Sequence, residues 1–328
     1  MTIAEIAQRA GVSKTAVSRY LNHGQVSEEK KARIRAVIDE TGYIPSRRAQ
    51  DLRRGHSRTI GVLLPKIDSE PIGRVVAGIS DVLEKKGFQL LLANTGGRME
   101  HELSYLDYFK NDQVDGILFI ADRLTPRHRK AIAGGTVPVV VIGQKTEDVS
   151  CVYHDDYASV QKLTQLLLRD GRQRIAMLAR HPGTLWAKRI QGFRDAVQAQ
   201  GLSPWIVYTG LGIEEGYAAC QSLLEQHPDV QAILCVTDPI AVGALKYLRE
   251  QGKRVPEDVA VAGMGHNRLS EVVVPRLTTV HYCYKTSGAQ AARMLLEILE
   301  READNCRQVE LPYRIVEQES TVHRRLEK

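Results

Sequence analysis

Apolar residues recur at helical spacing in the first 42 residues and predict three short helices. The first has Thr2 at its N-cap with Glu5 three positions on, a capping-box pattern, and Gly11 ends it. Ser13 and Ser27 are placed to cap the second and third helices. The apolar faces comprise Ile3, Ile6, Ala7 and Ala10 in the first helix, Val17, Tyr20 and Leu21 in the second, and Ile34, Val37 and Ile38 in the third.

These faces can close a small core only if the second helix turns its polar side outward. In a helix-turn-helix, the N-terminal part of the second helix contacts base edges and phosphates. The pattern therefore indicates a DNA-binding headpiece in residues 1–45, although the first two helices alone also fit a small hairpin packed against a neighbouring domain. The candidate DNA-binding side chains here are Thr2, Ser13, Lys14, Thr15, Ser18, Arg19 and Asn22.

Positive charge is concentrated in the same part of the chain. Up to His56, eleven Lys and Arg residues stand against six Asp and Glu residues, a net charge of +5, whereas the whole chain carries +6. A basic excess confined to one small segment favours contacts with DNA phosphates, because a merely soluble surface would spread it along the chain.

Residues 46–58 form a short basic segment in which Leu52 stands among arginines. Taken alone, this segment is typical of a solvated linker. It has too few apolar residues for a core of its own, so any helix in it is expected to be marginal in water.

From Thr59 onward, buried-type strands alternate with amphipathic helices, which is typical of parallel α/β units. The same alternation of strands and helices resumes after Tyr153. We therefore predict two doubly wound lobes with a ligand site between them, at the carboxyl ends of the strands. The predicted strands are 60–64, 88–93, 116–121, 137–142, 174–178, 205–208, 232–236 and 259–262, and helices are expected to begin near Tyr157, Trp186, Glu214 and Pro239.

The composition and the motifs argue against several classes of protein. The five cysteines are widely spaced without a Cys-x-x-Cys pair, so neither a disulfide framework nor a zinc site is expected. We find no nucleophile elbow, metal-ligand cluster or Gly-rich phosphate loop, so we predict no catalytic residue and no enzyme activity. The sequence shows no signal peptide or membrane span, and we expect a cytoplasmic protein with no membrane partner.

The segment 3–22 with Gly42-Tyr43-Ile44-Pro45-Ser46 resembles the LacI family of transcription regulators. The resemblance implies a homodimer on a palindromic operator in double-stranded DNA. It also implies a hinge helix in 46–58, with Ala49, Gln50 and Leu52 in the minor groove, ordered only on DNA. The core resembles the periplasmic sugar-binding fold, with three crossings between lobe 1, about 59–154 and 284–311, and lobe 2, about 155–283 and 312–328.

The same resemblance suggests where an effector binds. Ala187 to Phe193 resembles the family's Arg-x-x-Gly-aromatic motif, which makes Arg189 the main contact, with a surface ion pair as the alternative. Asp238 is expected to bind ligand hydroxyls, to cap its helix, or both. Where many members of the family have Gly-aromatic-Asp, this chain has Gly263-Met264-Gly265-His266-Asn267, so the usual aspartate is missing and we expect Asn267 or His266 to substitute for it. Polar residues after other strands complete the set, namely Lys66, Glu70, Asp122 and Gln144.

The predicted function is a transcriptional repressor of a carbohydrate-utilisation operon, controlled by a sugar or sugar-phosphate effector and needing no other cofactor. Within the family, the segments 46–47, 66–69, 151–156 and 235–251 are most similar to those of repressors that respond to trehalose 6-phosphate, which makes this compound a candidate effector. The alternatives are a catabolite-control regulator dependent on a phosphoprotein partner, and a sugar-processing enzyme with a helical accessory domain.

Overall fold

The computed structural model describes residues 1–21, 24–43, 57–111, 114–181, 184–301 and 306–322. The chain divides into two compact units, Met1–Ser57 and Arg58–Lys328. The predicted hinge helix, with Ala49, Gln50 and Leu52, and the predicted DNA contact Asn22 lie outside the described residues.

The first unit contains helices α1 (Ile3–Ala10), α2 (Lys14–Leu21) and α3 (Glu28–Thr41). Thr2 and Glu5 form the predicted capping box, and Gly11 ends α1 in the left-handed conformation with φ 64°. The apolar faces meet as expected, because Ile6, Val17 and Ile34 are fully buried at their centre. Ser27 is the N-cap residue of α3, but contrary to our expectation its side chain makes no capping hydrogen bond.

Lobe 1 contains a six-stranded parallel sheet, ordered β11-β5-β4-β3-β1-β2. Its interior strands are buried on both faces, which explains their uninterrupted apolar sequences. The strands are β1 (Thr59–Leu64), β2 (Gln89–Asn94), β3 (Gly116–Ile120), β4 (Val139–Ile142), β5 (Cys151–His154) and β11 (Gln308–Leu311).

Lobe 2 contains the second six-stranded sheet, ordered β12-β10-β9-β8-β6-β7. The prediction of wholly parallel sheets is wrong at one edge, where β12 pairs antiparallel with β10. The reason is that β12 enters directly from β11 of lobe 1 without a helix to reverse its direction. The strands are β6 (Ile175–Ala179), β7 (Trp205–Tyr208), β8 (Ala232–Cys235), β9 (Ala260–Met264), β10 (Thr278–Tyr282) and β12 (Tyr313–Val316).

Helices cover both faces of each sheet, as a doubly wound fold requires. Lobe 1 has α4 (Glu70–Lys85), α5 (Met99–Lys110), α6 (Pro126–Ala133) and α12 (Tyr284–Arg301), and lobe 2 has α7 (Asp156–Leu168), α8 (Thr184–Gln198), α9 (Ile213–Gln226), α10 (Asp238–Glu250) and α11 (Arg268–Val272). Among the described residues, no helix is long and apolar enough to span a membrane.

The helices α4 and α12 pack with their backbones unusually close. A Cβ atom added at Gly78 of α4 would collide with the carbonyl oxygen of Lys285, and one added at Gly288 of α12 would collide with that of Val75. The two glycines therefore allow the two helices to approach closely.

The chain passes between the two sheets three times: from β5 to α7, from β10 to α12, and from β11 to β12. Each lobe is therefore assembled from separate stretches of sequence, and the carboxyl ends of strands β5, β10 and β11 all lead across the junction.

Candidate functional site

The headpiece presents part of the expected DNA-binding surface. Lys14, Thr15 and Arg19 are exposed on α2, on the side opposite buried Val17. Ser18 is half-buried and is engaged by a partner. The helix therefore offers two cationic side chains and one hydroxyl to a ligand.

Thr2 and Ser13 have structural roles in the same unit. The Thr2 hydroxyl accepts the N–H of Glu5 at 3.3 Å while the Glu5 carboxylate accepts the N–H of Thr2 at 2.9 Å. The Ser13 hydroxyl accepts the N–H of Ala16 at 3.2 Å. Both residues fix helix N-termini, and any contact with DNA would be additional to that role.

Arg189, the expected effector contact, is buried in lobe 2. Its Nε donates to Asp156 at 2.8 Å and its guanidinium donates to the carbonyl oxygen of Val236 at 2.7 Å. Its charge also lies above the rings of Trp186 and Tyr282, at 5.1 and 5.4 Å. Burial alone would lower the pKa of Arg189, but the neighbouring Asp156 carboxylate more than offsets this and raises the pKa.

The partners of Arg189 form a network that the sequence analysis missed. The hydroxyl of Tyr282 donates to Asp156 at 3.2 Å and shares a 2.7 Å hydrogen bond with Ser159. Asp156 follows Asp155 at the first crossing between lobes. That adjacent acidic pair after a buried strand was the available signal. The network ties α7, α8 and β10 together at the junction of the lobes.

Asp238 is fully buried at the start of α10. Its carboxylate accepts the N–H of Asn267 at 2.9 Å and the hydroxyl of Thr279 at 2.6 Å. Burial raises its pKa to about 6, although both hydrogen bonds act in the opposite direction. Asp238 therefore holds the loop after β9 in place.

That loop brings His266 and Asn267 beside Asp238, as expected from their positions after β9. His266 adopts φ 47°, and its two ring nitrogens contact His281 Nδ1 at 3.0 Å and Glu271 at 2.7 Å. Asn267 is only 5% exposed, and its Oδ1 has no hydrogen-bond partner among the described residues. Of the two residues, Asn267 has the acceptor that a ligand hydroxyl could satisfy.

Two residues of α4 connect lobe 1 to this loop of lobe 2. The Glu70 carboxylate accepts the backbone N–H of Arg268, and Arg74 donates to the carbonyl oxygen of His266 at 2.9 Å. Glu70 and Arg74 also form an ion pair at 2.6 Å. Glu70, expected to bind effector, thus lies at a polar contact between the lobes.

The remaining expected residues divide into two groups. Gln144 donates to the carbonyl oxygen of Asp122 at 3.0 Å, so these two lie together after β3 and β4. Burial raises the pKa of Asp122, whereas Arg180 and Arg189 of lobe 2 lower it, which places charges of both lobes within electrostatic range. Lys66 is exposed and lies 3.7 Å from Asp68, apart from this group.

A pocket of about 470 Å³ opens at the first crossing between the lobes. Tyr153 and Glu310 line it from the strands of lobe 1, and Lys188 and Gln191 line it from α8 of lobe 2. Its volume lies within the roughly 300–1,000 Å³ typical of small-molecule sites.

In the described part of the chain, no group of three or more His, Cys, Asp or Glu residues is suited to a metal ion.

Comparison with known proteins agrees with this arrangement. A family model described as periplasmic binding proteins and sugar-binding domain of the LacI family matches residues 57–319, and one described as bacterial regulatory proteins of the lacI family matches residues 2–46. The chain belongs to the LacI family. The predicted fold class, a helix-turn-helix followed by a two-lobed α/β core of the periplasmic-binding type, is thereby confirmed.

Individual members of the LacI family match over nearly their whole length. The chain is 30% identical to the sucrose operon repressor of Staphylococcus xylosus, covering 92% of this chain and 94% of that one. It is 31% identical to the ribose operon repressor of Halalkalibacterium halodurans, covering 98% and 97%. A solved complex of the transcriptional regulator CelR with cellobiose shares 28% identity, covers 98% and 99%, and superposes with a TM-score of 0.74.

Proposed function

We propose that this chain is a transcriptional repressor of a carbohydrate-utilisation operon, acting in the cytoplasm as a homodimer on a palindromic operator. A sugar or sugar phosphate bound between the two core lobes sets its affinity for DNA. The proposal includes no catalytic activity and no cofactor besides this effector.

The observation that carries the proposal is the meeting of polar groups from both lobes after the carboxyl ends of the strands. Glu70 and Asp122 of lobe 1 lie within reach of charged or polar groups of lobe 2. A ligand that contacts both lobes changes the balance between open and closed arrangements, because it stabilises whichever arrangement lets both sets of contacts form. The sucrose, ribose and cellobiose in the names of the relatives support a sugar as that ligand.

On the DNA side, the proposed contacts are those of the helix-turn-helix and the hinge. Lys14, Thr15 and Arg19 bind bases and phosphates from the exposed side of α2, supported by Thr2, Ser13, Ser18 and Asn22. Leu52 inserts into the minor groove with Ala49 and Gln50 beside it. When the two core lobes change their arrangement, the two hinge segments of the dimer move apart, and operator binding then weakens.

The proposed effector contacts are Arg189, Asp238, Asn267 and His266 in lobe 2, and Lys66, Glu70, Asp122 and Gln144 in lobe 1. Trehalose 6-phosphate is the first compound to test, because the core segments most similar to trehalose-responsive repressors include Lys66 and the Asp155-Asp156 pair.

The test is fluorescence anisotropy with an operator selected by the purified protein from random duplexes. We expect specific binding that weakens steeply with salt, and release on adding one sugar from a panel of trehalose 6-phosphate, trehalose, sucrose, ribose and cellobiose. Lys14→Ala should weaken operator binding about tenfold and reduce the salt slope by about one. The exposed Lys30→Ala in α3 removes the same charge from the same unit and is the matched control.

Three outcomes contradict the proposal. Absence of sequence-specific DNA binding excludes the repressor. Turnover of a sugar would favour the enzyme. If no sugar alters operator affinity and binding requires a phosphoprotein, the catabolite-control regulator is favoured.

A further inference from the structure

Two histidines of lobe 2 meet at the loop that lobe 1 contacts. His266 belongs to the loop after β9 and His281 to β10, and their Nδ1 atoms lie 3.0 Å apart, with the ring planes at 75°. The other ring nitrogen of His266, Nε2, lies 2.7 Å from the carboxylate of Glu271. Both ring nitrogens of His266 are thus engaged by side chains of its own lobe.

This geometry fixes which nitrogens carry protons. An ionised carboxylate only accepts hydrogen bonds, so Nε2 of His266 donates to Glu271. That hydrogen bond is the main cause of the lowered pKa of Glu271. A neutral His266 then has only a lone pair at Nδ1, and Nδ1 of His281 must donate to it. One proton between the two Nδ1 atoms makes the contact, and two would break it.

The loop of His266 also carries the contacts to lobe 1. Arg74 donates to the carbonyl oxygen of His266 at 2.9 Å, and the Glu70 carboxylate accepts the N–H of Arg268. The backbone of His266 is in the left-handed region, with φ 47°. A residue other than glycine keeps this conformation only where its surroundings hold it. The histidine contact therefore helps to hold the loop in the conformation that lobe 1 binds.

The charges around the two rings decide where added protons go. His266 faces two carboxylates, Asp238 of α10 and Glu271 of α11, which favour a proton on its ring. His281 faces Arg314, directly opposite on β12, and Arg74 of α4. Burial, followed by the charge of His266 and of these two arginines, lowers the pKa of His281. The pair can therefore share a first proton on His266, whereas a second proton on His281 is opposed.

Three further groups lie beside the pair. Gln318 donates to Glu271 at 3.0 Å, and Arg276 also helps to lower the pKa of that carboxyl. His154 of β5 in lobe 1 is within electrostatic range of His281, but burial lowers the pKa of His154 to about 4. Asp238 has a pKa of about 6, in the range where histidines ordinarily titrate. Any test has to separate Asp238 from the histidines.

We propose that the contact between His266 and His281 is an acid-sensitive latch between the two core lobes. While the rings hold at most one added proton, the loop keeps the conformation that Glu70 and Arg74 bind. When both rings are protonated, two N–H groups face each other, the loop changes conformation and the lobes open. The inference goes beyond the proposed function, because it makes the proton a second input to the arrangement of the lobes. Only an effect on operator binding would rest on the proposed function.

The test is hydrogen exchange of the full chain, measured by mass spectrometry at pH 7 and pH 5 and corrected for the intrinsic exchange rate at each pH. The amides of residues 266–268 report on the loop, because each has a hydrogen-bond acceptor in the structure. Their protection should be about tenfold lower at pH 5. Small-angle scattering under the same conditions should show a larger radius of gyration at pH 5.

Two substitutions at position 281 separate the latch from Asp238. His281→Asn supplies an amide that can donate to or accept from His266, so loop protection should be equal at the two pH values. His281→Ala removes the partner, so protection should be low at both. The control is His227→Asn, which removes a histidine stacked on Trp205 at the opposite end of the lobe 2 sheet and should behave like the parent.

The inference is overturned if loop protection in the parent is equal at the two pH values. It is also overturned if His281→Asn loses protection as the parent does, which would assign the effect to Asp238. Loss of protection without a change in the radius of gyration would show that the contact does not hold the lobes. These measurements use neither DNA nor sugar, so they can fail while the proposed repressor stands, and the repressor can fail while the latch stands.

Discussion

The carboxylate of Glu70 accepts the backbone N–H of Arg268 through both oxygens, each at 3.2 Å, across 198 positions of sequence. This hydrogen bond joins the first turn of α4 in lobe 1 to the first turn of α11 in lobe 2. Arg74 completes the contact by bonding both Glu70 and the carbonyl oxygen of His266. The contact favours the closed arrangement of the lobes.

Glu70→Gln should shift the lobes toward an open arrangement, because an amide offers only one acceptor and no charge to Arg74. The free energy of unfolding should fall by less than about 1 kcal/mol, since the pair is one-third exposed, with 33% for each side chain. Small-angle scattering should show a larger radius of gyration, and apparent effector affinity should fall about three- to tenfold. Glu297→Gln, which removes a 2.8 Å pair with Arg307 inside lobe 1, should alter neither.

Arg189→Met should destabilise the core by about 3–5 kcal/mol, because it leaves the buried Asp156 carboxylate without its cation. Urea unfolding measures this loss. The matched control is Arg174→Met, whose Nε also lies 2.8 Å from a carboxylate, that of Asp229, but whose side chain is 42% exposed. That variant should lose less than about 1 kcal/mol, and equal losses would contradict the structural role assigned to the Arg189–Asp156 pair.

Asp238 should give the core a measurable pH dependence. Its pKa is raised from 3.8 to about 6 by burial, so the stability linked to its protonation is fully present below 3.8 and is lost as the pH rises through about 6. Relative to the parent, Asp238→Asn should therefore gain roughly 2–3 kcal/mol of unfolding free energy between pH 4 and pH 7, at about 1.4 kcal/mol per pKa unit. Only the change with pH is predicted, because the substitution also alters two hydrogen bonds.

Urea titrations of parent and variant at several pH values test this difference. The comparison with the parent is needed because His154 adds a pH dependence of its own to both proteins. Burial lowers the pKa of His154 from 6.5 to about 4, so the stability linked to its neutral form is present above pH 6.5 and is lost as the pH falls through about 4. Asp258→Asn is the control. Hydrogen bonds from Arg254 lower the pKa of Asp258 to about 2. The Asp258→Asn variant should therefore shift the curve of unfolding free energy against pH without changing its slope between pH 5 and pH 7. A flat difference for Asp238→Asn would contradict the prediction.

Gly78→Ala and Gly73→Ala, both in α4, should have opposite effects on stability. At Gly78 the new methyl group would collide with the backbone of Lys285, and we expect a loss of about 2 kcal/mol or more. At Gly73 nothing lies within 4 Å, and the better helix former should add about 0.5–1 kcal/mol. Thermal unfolding of the two variants measures both effects, and loss at both positions would show that the close approach of α4 and α12 is not the cause.

Much of the fold was predictable because its signals are local. The capping box at Thr2, the stop at Gly11 and the apolar runs of β1, β3 and β8 each occupy a few consecutive residues. The short strands β5, β10, β11 and β12 were not predicted. β11, for example, has four residues with a half-exposed pattern, and it becomes a strand through pairing with β5.

The contacts of the candidate site were less predictable than its positions. Arg189 and Asp238 could be selected from their motifs, but not their engagement by Asp156 and Thr279, 33 and 41 positions away. Both pairs lie within lobe 2, and their members meet only when its helices and strands have packed together.

The last crossing has a consequence for synthesis on the ribosome. β11 and β12 complete an edge of each sheet, and only Pro312 separates them. Translation therefore delivers both missing edges almost simultaneously, after all the other strands have emerged. Until then, β5 and β10 are edge strands with unpaired backbone groups. A second nascent chain could pair with these edges, and a chaperone that covers them would prevent it.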